Sequence, residues 1–173
     1  MKKGFTLIEL MTAVSIFAIV LTISMGSIIG IFDANRKSRA LKSVMSNLNL
    51  AVESMSKEMR FGKNYHCGSG SVTTPQNCSS GATLMSFLAN EGEQITYNLS
   101  GNSIVRQIDG GSSIAITAPE VFIDDLTFYT LGAGITDTLQ PKVLMKIKAH
   151  AGSGKGRTDL TLQTVVSQRL PDI

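Results

Sequence analysis

Few side chains in this sequence are placed to do chemistry, and the first of them is Glu9. It is the single ionisable residue in the run Phe5–Phe32, FTLIELMTAVSIFAIVLTISMGSIIGIF. A charge at the centre of a bilayer costs about 2.5 to 3.5 kcal/mol on insertion scales, less near the interface, and intramembrane carboxylates usually have a partner. A cation brought alongside in a low-dielectric bundle would attract Glu9 strongly and relieve its burial penalty. The plain alternative is a carboxylate that snorkels to the interface alone.

The other candidates are weaker. Cys67 and Cys78 are the only cysteines, with ten residues between them, so they form no CxxC redox motif; only His66 is near enough to join them, too few ligands for a metal site. In an extracytoplasmic domain the pair reads as one disulfide, constraining its loop by roughly 3 kcal/mol in the chain-entropy picture; reduced thiols are the competing reading. His66 and His150 fall in separate regions read as loops, and no Gly-x-Ser-x-Gly, HExxH or phosphate-cradling pattern occurs. The GSGKG stretch at 152–156 lacks the Walker spacing and a following helix, and reads as a hairpin turn. Asp124 and Asp125 are neighbours in an apparent strand and do not make a calcium loop. No catalytic residue, metal or cofactor is nominated, and the chain does not read as an enzyme. Lys142, Lys146, Lys148, Lys155 and Arg157 could meet phosphates, which keeps a binding module for DNA uptake or adhesion as the alternative. Their alternation with apolar residues favours the solvated face of a strand.

These residues need elements to hold them. As a helix, the apolar run would reach roughly 40 Å, longer than the ~30 Å hydrocarbon core of a bilayer. Lys2 and Lys3 precede it as in a secretory signal peptide, but the run is too long for a cleaved core and has no small-x-small site after it. A simple signal anchor fits the length and leaves Glu9 without a reason. Gly26 and Gly30 make a small-xxx-small pattern that lets helices approach closely, or they are glycines tolerated in a membrane helix.

From Asp33 the composition turns polar while the helical period persists through Leu41, Val44 or Met45, Leu48, Val52, Met55 and Met59, predicting one helix to about Phe61. Residues 62–81 then read as a Gly, Ser and Thr loop bracketed by the cysteines. Beyond it, Ala82 to Leu88, Gln94 to Leu99, Ser103 to Ile108, Ser113 to Thr117, Val121 to Leu131, Val143 to Ala149 and Asp159 to Arg169 read as strands, with a hairpin at Ser100-Gly101-Asn102. Val143, Met145, Ile147 and Ala149 point to one side of their strand. The class expected is α+β: a long helix whose second half carries an antiparallel sheet of about four to six strands. Of 173 residues, the part after the helix suffices for one core. The formal charge of +3 suggests a polyanion partner, yet without Lys2 and Lys3 there are 14 basic against 13 acidic side chains.

The octet Lys3-Gly4-Phe5-Thr6-Leu7-Ile8-Glu9-Leu10, followed by uninterrupted apolar helix, resembles the N-terminus of type IV prepilins and type II secretion pseudopilins. The resemblance is strong through Phe32, weaker to Phe61 and architectural beyond. It implies a leader at 1–4, a transmembrane and polymerisation helix at 5–32, an amphipathic helix at 33–61 and a β-sheet head at 82–173, the lollipop shape of the family. It further implies that a prepilin peptidase cuts between Gly4 and Phe5 and N-methylates Phe5, and that Glu9 neutralises the amine of Phe5 on a neighbouring subunit. The partners implied are other pilin or pseudopilin subunits, an inner-membrane assembly platform and, before assembly, membrane lipid. Arg36, Lys37, Arg39 and Lys42 compete with the N-terminal charges for the cytoplasmic side; the resemblance puts the N-terminus inside and the head outside. Length and the stretch LNLAVESMSKEMR look more like a minor pseudopilin of the J type than a major subunit.

Overall fold

The computed structural model describes residues 4–135 and 139–169. Met1, Lys2 and Lys3 of the expected leader, residues 136–138 of the loop before Pro141 and the tail at 170–173 lie outside the described residues, as does the side chain of Lys155.

A single helix, α1, runs from Leu7–Phe61. It begins two residues after Phe5 because Thr6 caps it: this residue is extended, and its hydroxyl accepts the Glu9 N–H at 3.4 Å. Through the apolar half the hydroxyls turn back on the helix itself. Ser15 donates to the Met11 carbonyl, Thr22 to Ala18 and Ser24 to Val20, each at 2.8 Å, which gives these three hydroxyl protons a partner in an apolar environment. The helix continues unbroken through Gly26 and Gly30, where a side chain would meet nothing within 4 Å. It ends at Gly62, whose N–H reaches the Met59 carbonyl. A Cβ at Gly62 would lie 2.5 Å from the Phe87 ring, so only glycine lets the chain leave the helix this close to the core.

Only the second half of α1 has a buried face. Val44, Leu48, Ala51, Met55 and Met59 recur at helical spacing and are sealed from solvent. That resolves the choice between Val44 and Met45 in favour of Val44 and leaves Leu41 on the exposed side of the helix, while Ala40 beside it packs against the core.

The strands, among the described residues, are β1 Lys63–Cys67, β2 Cys78–Ala82, β3 Leu84–Leu88, β4 Gln94–Ser100, β5 Ser103–Ile108, β6 Ile114–Ala115, β7 Val121–Leu131, β8 Lys142–Ala151 and β9 Thr158–Ser167. They form two antiparallel sheets, ordered β1-β3-β4-β5-β6 and β2-β7-β8-β9, where one sheet was expected. The division falls at Thr83. The run expected as one strand from Ala82 to Leu88 is cut there, with Ala82 paired to Phe128 in one sheet and Leu84 paired to Asn98 in the other. The supposed loop at 62–81 carries β1 and β2, edge strands too rich in Gly, Ser and Asn to show a hydrophobic period. Both histidines sit in strands, His66 in β1 and His150 in β8, and not in loops. β8 alternates as expected, with Val143, Met145, Ile147 and Ala149 buried. A short 3-10 turn at Gly154–Gly156 joins β8 to β9 and packs on α1. The core lies between the helix and the sheets, where Met55 and Met59 join Tyr65, Phe87, Tyr97, Phe128 and Met145.

Candidate functional site

Among the described residues, no other element packs on the helix around Glu9. Seventeen large apolar side chains from Phe5 to Phe32 are exposed, and the most apolar window of the helix has no buried residue. At about 1.5 to 3 kcal/mol for each such side chain, leaving this half of α1 in water would cost roughly 25 to 50 kcal/mol. A whole domain is stable by only about 5 to 15 kcal/mol. Some apolar medium, lipid or protein, therefore covers it, and its length and composition suffice to cross a membrane. Glu9 stands in the first turn of this exposed cylinder and Gly4 and Phe5 precede it in non-helical backbone, open to approach. A carboxylate in a first helical turn also sits favourably against the helix dipole.

Toward the other end, the head is tied to α1 by charge. Glu58 Oε2 accepts the Tyr97 hydroxyl at 2.7 Å and Arg106 Nε at 3.0 Å. Burial first, and then the hydrogen bond to Glu58, push the Tyr97 phenol far above its ordinary range. Burial draws the Arg106 guanidinium down, but the hydrogen bond and charge of Glu58 outweigh it and hold Arg106 above its usual value. No sequence signal marks this trio, since Tyr97 and Arg106 are 39 and 48 positions from Glu58.

The structure joins Cys67 to Cys78 in a disulfide. It links β1, in one sheet, to β2, in the other, and both sulfurs lie against the Phe128 carbonyl. Just before the closed loop, His66 turns toward it: Nδ1 is 2.7 Å from the Thr74 carbonyl, while the buried Nε2 faces Gly70. A Cβ there would lie 2.2 Å from that nitrogen.

The basic face proposed from the sequence is real but mixed. Lys142 and Lys148 are exposed and Lys146 half-buried on the outer side of β8, yet Lys148 is paired in register with Asp125, and Arg157 is bound to Asp159 at 2.7 Å. Arg157 holds the Asp159 carboxyl below its usual range, through their hydrogen bond first. At the end of the same face, His150 Nδ1 lies 2.8 Å from Asp124 Oδ2, with Asp159 on the adjoining strand.

Residues 1–25 match the model of the family described as the prokaryotic N-terminal methylation motif. That motif is the signature of type IV pilins and pseudopilins, and it supports processing by a prepilin peptidase. Its family is one of structural subunits rather than enzymes. No curated protein and no solved structure matches the chain. The motif covers the helix start, and the architecture behind it, one long apolar helix followed by antiparallel sheets, is that of a pilin-like lollipop.

Proposed function

We propose that this chain is a filament subunit, a pilin or pseudopilin of the minor kind, inserted in the inner membrane by α1 with its N-terminus inside and its head outside. After cleavage between Gly4 and Phe5 and N-methylation of Phe5, the exposed half of α1 leaves lipid for the core of a type IV pilus or type II secretion pseudopilus. Glu9 meets the Phe5 amine of a neighbouring subunit there, and Gly26 and Gly30 let helices approach. The assembly platform, the peptidase and the other subunits are its partners. The observation that carries this reading is the coincidence of the methylation motif with an apolar half-helix that has one acid and, among the described residues, nothing packed on it.

DNA binding is the weaker alternative, because Lys148 of β8 stands opposite Asp125 and Arg157 is bound to Asp159. A subunit that holds phosphate through those lysines would lose affinity steeply with salt.

The mass of the mature N-terminus tests processing: a Phe5 start with one extra methyl is expected, and an intact Met1 in assembled material would refute it. Glu9→Ala should prevent incorporation into filaments while the head unfolds as in the parent. Normal incorporation of that variant would remove the charge pairing.

A further inference from the structure

The outer face of β7, β8 and β9 carries a group of side chains that the assembly reading does not use. Asp124, His150 and Asp159 come from three neighbouring strands, and each offers a ligand atom within 4.8 Å of the other two. We propose that they form a binding site for a divalent transition metal, with Zn²⁺ as the ion they fit best.

The backbone builds this arrangement. His150 is opposite Phe122 on one side and Asp159 on the other. Between Ile123, paired with Ala149, and Asp125, paired with Lys148, the register of β7 shifts, so Asp124 is an extra residue. Such a bulge re-aims a side chain: here Ile123 and Leu126 stay buried while Asp124 and Asp125 both face outward. Asp124 thereby reaches the imidazole. The ring itself is held flat on Phe122, with centroids 5.2 Å apart and planes 14° from parallel, so its orientation is settled before any ligand arrives.

The donor set selects the ion. One imidazole nitrogen and two carboxylates suit Zn²⁺ and similar ions, while Ca²⁺ asks for six or more oxygens that this flat surface does not supply. Donor atoms around a tetrahedral Zn²⁺, bonded at about 2.0 to 2.2 Å, lie roughly 3.3 Å apart. The pair already at 2.8 Å would open slightly and Asp159 would close. Three protein ligands leave a fourth position for water or a donor from another molecule.

Two cations oppose the ion. Arg157 places both of its contacts on Asp159 Oδ1, at 2.7 and 3.0 Å, and Lys148 lies two residues along β8 from His150. Arg157 is solvent-exposed and free to swing aside, so it competes with the metal without blocking it.

The test is calorimetric titration of Zn²⁺, with Ca²⁺ in parallel, into the full chain in mild detergent. One equivalent of Zn²⁺ should bind. His150→Gln and Asp159→Asn should each weaken it about tenfold or more, the scale on which even outer-shell changes act. Arg157→Gln should tighten it, because a competing cation is gone. Asp124→Asn, an exposed strand-surface change, carries the test if His150→Gln loses the native melting transition. Absence of a saturable Zn²⁺ equivalent, binding that survives both ligand variants, or weaker binding in Arg157→Gln would each overturn the proposal.

Discussion

Replacing Glu58 with alanine removes one carboxylate from two donors that belong to different strands. Tyr97 is fully buried, so its hydroxyl would be left without its partner; a hydrogen bond to a charged acceptor contributes about 1.5 to 3 kcal/mol. The ion pair with Arg106 adds little, up to about 1 kcal/mol, since its side chains are 23% and 29% exposed and water screens them. Glu58→Ala should therefore cost about 2 to 4 kcal/mol, most of it through Tyr97. Tyr97→Phe removes the donor and leaves Glu58 to Arg106, so the double variant should cost less than the two single changes together, by about 1.5 kcal/mol or more. Urea unfolding of the full chain in mild detergent, followed by far-ultraviolet circular dichroism, measures all four proteins. The phenol also gives a sign in pH. Its folded value lies above the unfolded one near 10, so the unfolded state loses its proton first and stability falls as pH rises beyond about 10, by up to ~1.4 kcal/mol per pH unit. Tyr97→Phe should lack that component. If Glu58→Ala costs less than about 0.5 kcal/mol, or the two changes add, the helix is not tied to the sheet through this group.

The remaining predictions concern the core and the disulfide. Met55→Ala, at a fully buried position between helix and sheets, should cost about 2 to 5 kcal/mol in the same assay, while Met45→Ala on the exposed side should cost little. Replacing Cys67 and Cys78 together by alanine should lower stability by about 3 kcal/mol and open the segment between them to proteases, seen as cleavage within residues 68–77.

The long helix and its two halves were legible because they depend on local information, and the proposal of a site at Gly4, Phe5 and Glu9 rests on the same kind of signal. Apolar run length decides whether a segment can span, and a lone acid in such a run stands out against its neighbours. The later strands from Gln94 onward were legible for a similar reason, since period-two alternation marks a face that must be buried. β1 and β2 were not, because edge strands held by a disulfide need little apolar pattern. Tertiary structure alone decided that the chain changes sheets at Thr83, that Glu58 gathers Tyr97 and Arg106, and that a bulge at Asp124 brings it to His150 and Asp159. Each of those is a meeting of residues far apart in the chain, set by strand order and register, and no property of either residue alone announces it.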